Sequence, residues 1–173
     1  MKVPVLLLIV ASTLPVGAQQ PESSREEQNK ALVRKCAEGS REAQTPEARA
    51  QNTCFAEQVT FQGRTVSRDS LVQNLDDIRT TFPDWKGEVL EMVAEGDVVV
   101  VRVRVSGTHK GVGKRPINGG MLVGVPPTGK RFEVQHIRWY RIRDGKIVEH
   151  YAVRDDIGMM RQLGLIPPLP APK

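Results

Sequence analysis

The sequence predicts an α+β fold, on three observations. Segments of helical period fill the chain before Pro83, valine-rich segments of period two follow it, and glycine-bearing turns at 95–97 and 143–146 join those segments into antiparallel pairs. The expected plan is helices first, then four to six antiparallel strands, with the helices covering one face of a curved sheet and enclosing a cavity. A length of 173 residues suits one domain.

The first residues stand apart from that domain. Lys2, the apolar run Val3 to Leu14 and the small residues Val16-Gly17-Ala18 have the form of an export signal cleaved near Ala18. Residues 1–18 are therefore assigned to a signal peptide, and the mature protein to the periplasm or the medium. The run is too short to span a bilayer, and no later segment approaches ~18 uninterrupted apolar residues. Residues 19–30 are read as a flexible lead, 31–166 as the domain, and the proline-rich 167–173 as an extended tail.

Loss of residues 1–18 removes Lys2 alone among the charges, leaving 24 bases against 20 acids, +4. Those charges are interspersed and only 5% of residues are aromatic, which excludes the concentrated basic stripe and stacking platform of a nucleic-acid binder. The two cysteines, Cys36 and Cys54, are too few for a zinc cluster. After export they either join as a disulfide or face each other as buried thiols.

In chain order, residues 26–38 run at helical period, with Leu32, Val33, Cys36 and Ala37 on one face and Gly39 as a stop. Thr45-Pro46 reads as the start of a second helix carrying Ala48, Ala50 and Cys54. A short β segment at 58–61 follows. A third helix opens at Ser67, aligns Leu71, Leu75, Ile78 and Phe82 on one stripe, and stops before Pro83. Segments 85–93 and 98–105 form a hairpin, with Val101, Val103 and Val105 inward and Gly107 and His109 at the inner end by the same parity. A glycine-rich loop over 110–120 leads to a short strand at 121–125. Residues 132–142 and 147–153 form a hairpin about Asp144-Gly145, and a short helix runs to Leu165.

Several stretches together resemble the SnoaL-like ester cyclases of the nuclear transport factor 2-like superfamily. They are Phe82-Pro83-Asp84-Trp85, Gly96-Asp97-Val98, Gly107-Thr108-His109-Lys110-Gly111, Pro126-Pro127-Thr128-Gly129-Lys130, Asp144-Gly145-Lys146-Ile147, and Asp155-Asp156-Ile157-Gly158 through Gln162-Leu163-Gly164. The resemblance implies a cone-shaped sheet wrapped around helices, a homodimer or homotetramer formed through the sheet, and a small hydrophobic ligand. It also implies an aldol ring closure without metal or cofactor, with Asp155 at the position of the family's acid/base aspartate and His109 at a position that is commonly histidine.

The residues themselves are compatible with that role, since a carboxylate at a pocket wall loses solvation and gains basicity. Uniform strand parity puts Tyr151, Val153 and Asp155 with Ile147 on the apolar face, and His150, Arg154 and Asp156 on the other. Asp155 is accordingly assigned inward, with helix capping as its alternative, and Asp156 is assigned to the helix start. His109 is either a donor to a carbonyl or a turn residue satisfied by backbone. Phe82, Trp85, Tyr151 and Val153 are pocket candidates, as are His136 and Tyr140 unless their strand face meets solvent or an oligomer partner. The three histidines fall on separate segments, which argues against a metal site, and no serine occupies a nucleophile-elbow turn.

The chain departs from the family in Tyr151, where many relatives carry tryptophan, in a longer 111–120 loop with Lys114 and Arg115, and in its export signal. Two functions remain open: acid/base catalysis on a small hydrophobic carbonyl or ester compound, or a cavity that binds a ligand or supports a dimer without chemistry.

Overall fold

A computed structural model describes residues 22–42, 45, 54–115 and 121–167. The signal-peptide assignment, most of the second expected helix and the end of the proline-rich tail lie outside the described residues.

The first helix, α1 (Glu22–Glu42), begins within what the sequence suggested was a flexible lead. Its early turns are fixed by tertiary contacts that no local pattern reveals. Glu26 Oε1 accepts the Gly96 N–H at 2.9 Å, and Asn29 Nδ2 donates to the Gly96 carbonyl at 3.0 Å. The apolar stripe Leu32, Val33 and Cys36 packs onto the sheet. Cys36 is bonded to Cys54, which ties α1 to the beginning of β1 (Phe55–Phe61).

β1 turns through Gln62 and Gly63, both at positive φ, into β2 (Arg64–Ser67), a strand too short for the sequence pattern to announce. Ser67 then caps α2 (Arg68–Thr81), its side chain accepting from the Ser70 N–H. β3 (Lys86–Glu95) and β4 (Val98–Thr108) form the first long hairpin, β5 (Arg131–Arg143) and β6 (Lys146–Arg154) the second, and α3 (Asp156–Gln162) closes the fold. Residues 121–125, expected as a strand, form a turn with a single bridge between Gly113 and Val123. Gly124 at φ +71° bends the backbone there.

The sheet order is β2-β1-β6-β5-β4-β3. All neighbours are antiparallel except β1 and β6, which run parallel, so the sheet is mixed rather than wholly antiparallel. Val99, Val101, Val103 and Val105 are buried as their parity required, and form the floor of the core with Val134, Ile142, Ile147 and Leu163. α1 lies over β3 and β4, α2 against β1 and β2, and α3 against β5.

Two bulges set which residues face that core. In β3, Val89 pairs with Val103 but Glu91 with Arg102, leaving Leu90 extra. In β6, Ile147 pairs with Ile142 but Glu149 with Arg141, leaving Val148 extra. Because side chains alternate with period two, the second bulge reverses the facing of every β6 residue after it.

Candidate active site on the concave face

β5 presents Val134, His136, Arg138, Tyr140 and Ile142 to the concave side. His136 and Tyr140 are only 6% and 7% exposed. Across the strand boundary, His136 stands opposite Arg154, Arg138 opposite Ala152, and Tyr140 opposite His150. The concave face of β6 is therefore its even-numbered set, His150, Ala152 and Arg154.

That outcome corrects the parity assignment. Val153 is 75% exposed and Tyr151 is exposed as well, both on the convex face, where Tyr151 packs edge-on against Trp139 at 5.7 Å. Neither faces the concave side. Uniform alternation from Ile147 fails at Val148, where the bulge inserts one residue. His150 and Arg154, assigned outward, are inward for the same reason. The bulge leaves no mark in the sequence. The legible signal was on β5, where polar His136, Arg138 and Tyr140 share one face and demand polar partners on the next strand.

The electrostatics of the array follow from its burial. Burial chiefly, and then the guanidinium groups of Arg138 and Arg154, lower the His136 pKa to about 4, against an opposing pull from Asp155. Burial and the same two arginines take His150 down to about 3. Both imidazoles are therefore neutral at neutral pH, each with one ring nitrogen free to accept. The Nε2 of His150 is buried without a hydrogen-bond partner, and its ring is stacked on Tyr140 and edge-on to Phe61.

The two carboxylates at the start of α3 divide differently from expectation. Asp155 is exposed, and its Oδ1 accepts the Gly158 N–H at 2.8 Å as the helix N-cap. Asp156 Oδ2 is held by Arg154 through Nε and Nη2, both at 3.2 Å, while its Oδ1 is buried with no partner. The buried, unpartnered oxygen is thus on Asp156, and Asp155 takes the capping alternative.

His109 is fully buried at the far end of β4, its ring 5.5 Å from that of Phe82. Phe82, Trp85 and Phe132 complete an aromatic cluster there. The backbone of His109 pairs with Lys130 and Gly129, and its Nδ1 lies 3.3 Å from the Thr128 N–H, so the residue anchors the 126–130 turn. Burial pushes its pKa down, partly offset by the Gly111 backbone. His109, Phe82 and Trp85 therefore pack with Phe132 at one end of the inward face of β5, and His109 Nε2 is buried there without a partner. Among the described residues, no group of three or more His, Cys, Asp or Glu side chains is arranged to hold a metal ion. No described helix is long and apolar enough to cross a membrane.

Comparison with known proteins decides the family. The SnoaL-like polyketide cyclase profile matches residues 30–163, most of the chain. The chain belongs to the SnoaL-like polyketide cyclase family. Aklanonic acid methyl ester cyclase DnrD of Streptomyces peucetius is 37% identical over 86 residues, 50% of this chain and 52% of that enzyme, so the chain spans about half the length of this curated relative. Among solved structures, AclR of Streptomyces galilaeus, a candidate hydroxylase, superposes with a TM-score of 0.64 at 26% identity, covering 84% of this chain and 87% of its own. A SnoaL-like polyketide cyclase from Jannaschia sp. CCS1 reaches a TM-score of 0.64 at 22% identity, covering 87% of this chain and 100% of its own, a likeness of fold. The six-stranded curved sheet is the nuclear transport factor 2-like fold of these SnoaL-like cyclases.

Proposed function

We propose that this family member is a cofactor-free acid/base enzyme acting on a small hydrophobic carbonyl or ester compound, by aldol cyclisation or a related isomerisation or hydrolysis. The observation that carries this reading is the carboxylate of Asp156, oriented through one oxygen by Arg154, the cross-strand partner of His136, while its other oxygen is buried and unpartnered. Such a carboxylate can take a proton from carbon next to a carbonyl. A neutral imidazole N–H of His136 or His150 can then hydrogen-bond the enolate oxygen, and the carboxylic acid returns its proton to the alkoxide formed on ring closure. Asp155, which the family resemblance favours for this role, is the second reading, supported by its electrostatic pull on His136.

The test is exchange of the α-proton of a methyl aroylacetate into D2O, followed by NMR with wild type, Asp155→Asn and Asp156→Asn. A loss of ~100-fold or more is expected for Asp156→Asn, in line with removal of a general base. Exchange unchanged in both variants would leave the non-catalytic binding reading in its place.

Two further assignments belong to this proposal. The convex patch of Ile137, Trp139, Tyr151 and Val153 suits a second copy of the chain, giving a homodimer or homotetramer through the sheet. Export through residues 1–18 fits the Cys36–Cys54 disulfide, a bond favoured outside the reducing cytoplasm. Mass spectrometry of the mature N-terminus tests that assignment.

A further inference from the structure

The concave array carries one cation more than its acid/base chemistry uses. Arg154 is matched by Asp156 at 3.2 Å. Arg138 has no ion pair or hydrogen bond among the described residues, although it sits half-buried in the middle of the face. Its neighbours across the strands are Val101 on β4 and Ala152 on β6, two small apolar residues that cannot answer its charge. Its neighbours along and diagonal to the strand, His136, Tyr140, His150 and Arg154, offer two neutral imidazoles, a phenol and a second guanidinium. The two carboxylates at the start of α3 have partners of their own, Asp156 through Oδ2 on Arg154 and Asp155 through Oδ1 on the Gly158 N–H. Arginines on the convex face are treated differently. Arg102, Arg104 and Arg141 each meet a glutamate or aspartate across the strands.

A guanidinium removed from bulk water and left without a counter-ion is costly, whereas one that meets a carboxylate gains two parallel charge-assisted hydrogen bonds. We propose that Arg138 is the recognition site for a carboxylate on the substrate, and that the preferred ligand is a hydrophobic keto acid rather than its neutral ester. The side chains around Arg138 serve that geometry. The phenol of Tyr140 and an imidazole N–H of His136 can donate to carboxylate lone pairs that the guanidinium does not fill. The two arginines help keep both histidines neutral, so neither adds a second fixed charge. The compounds named for the aligned cyclase are methyl esters, which carry no charge for such a residue to bind. This inference rests on the reading of the concave face as the substrate site, and adds the charge of what binds there.

The test uses binding without turnover, so that it is independent of which carboxylate moves the proton. Wild-type protein is titrated calorimetrically with 2-naphthoate and with methyl 2-naphthoate at one salt concentration, and so are Arg138→Gln and Arg138→Lys. The expected result is tenfold or greater preference of wild type for the acid. Arg138→Gln should bind acid and ester alike, and Arg138→Lys should recover part of the preference. Circular dichroism confirms that each variant is folded, and ester affinity supplies a second check on the site. Equal binding of acid and ester by wild type, no binding of either, or an acid preference that survives Arg138→Gln would each overturn the proposal. Loss of proton exchange in Asp156→Asn alongside equal acid and ester binding would retain the acid/base reading and reject this one.

Discussion

Tyr140 and His150 stand directly opposite each other on β5 and β6, their rings stacked with centroids 4.7 Å apart and planes 24° from parallel. The pair is the hinge between the polar array and the apolar β1 edge, since the other side of the His150 ring environment is made by Phe55 and Phe61. The imidazole is thus enclosed by aromatic surface with no acceptor for a second proton.

This enclosure predicts a pH dependence of stability. The folded-state pKa values of His136 and His150, about 4 and about 3, lie below the 6.5 of an ordinary imidazole. The unfolded chain therefore binds protons that the folded chain does not, and stability is fully present above pH ~6.5 and lost as pH falls from there toward 4. Each histidine contributes a slope of up to about 1.4 kcal/mol per pH unit within that window. Urea unfolding between pH 4 and 8 should give a flatter curve for His150→Gln than for wild type. Parallel curves would reject the neutral, enclosed imidazole.

The start of α3 predicts opposite phenotypes for neighbouring carboxylates. Asp155→Ala removes the N-cap and should lower stability by about 1 kcal/mol. Asp156→Asn keeps the shape of its side chain and should affect proton exchange far more than stability. Gly158→Ala places a methyl group against the Asp155 carboxylate, so it should reproduce the stability loss of Asp155→Ala in thermal unfolding.

Reduction of the Cys36–Cys54 bond releases a loop with a sequence separation of 18. The chain-entropy relation gives about 3 kcal/mol for a loop of this size. Denaturation with and without dithiothreitol, and of Cys36→Ser, should both register a loss of that order, and agreement between them would assign it to the bond.

The convex face predicts an oligomer that one charge can break. Val153→Glu introduces a carboxylate at the centre of the exposed apolar patch, opposite Ile137. Light scattering should report a dimer or tetramer for wild type and a monomer for the variant, with unchanged circular dichroism. A monomeric wild type would remove the interface.

The helical stripe of α2, the odd-numbered valines of β4 and the Asp144-Gly145 turn were all legible in the sequence, because each rests on local periodicity or on a backbone conformation that few residues adopt. So was the placement of His136 and Tyr140 on one strand face. The start of α1 was not, because Glu26 and Asn29 are held by Gly96, far along the chain. The parallel pairing of β1 with β6 joins opposite ends of the domain and has no local signature. The inward set of β6 was misjudged for a different reason: Val148 is an ordinary strand residue, and its extra place is defined only by the partner strand.

That single insertion gives β6 two phases. Upstream of Val148 odd numbers point inward, and downstream even numbers do. Deleting Val148 would restore one phase throughout and leave His150 and Arg154 inward, whereas drawing Val148 into the ladder opposite Arg141 would turn Tyr151 and Val153 inward and expel His150 and Arg154. Alignment of such strands by alternation alone compares the wrong side chains, much as a frameshift misreads every codon after it, and the bulge is the mark from which the frame must be counted.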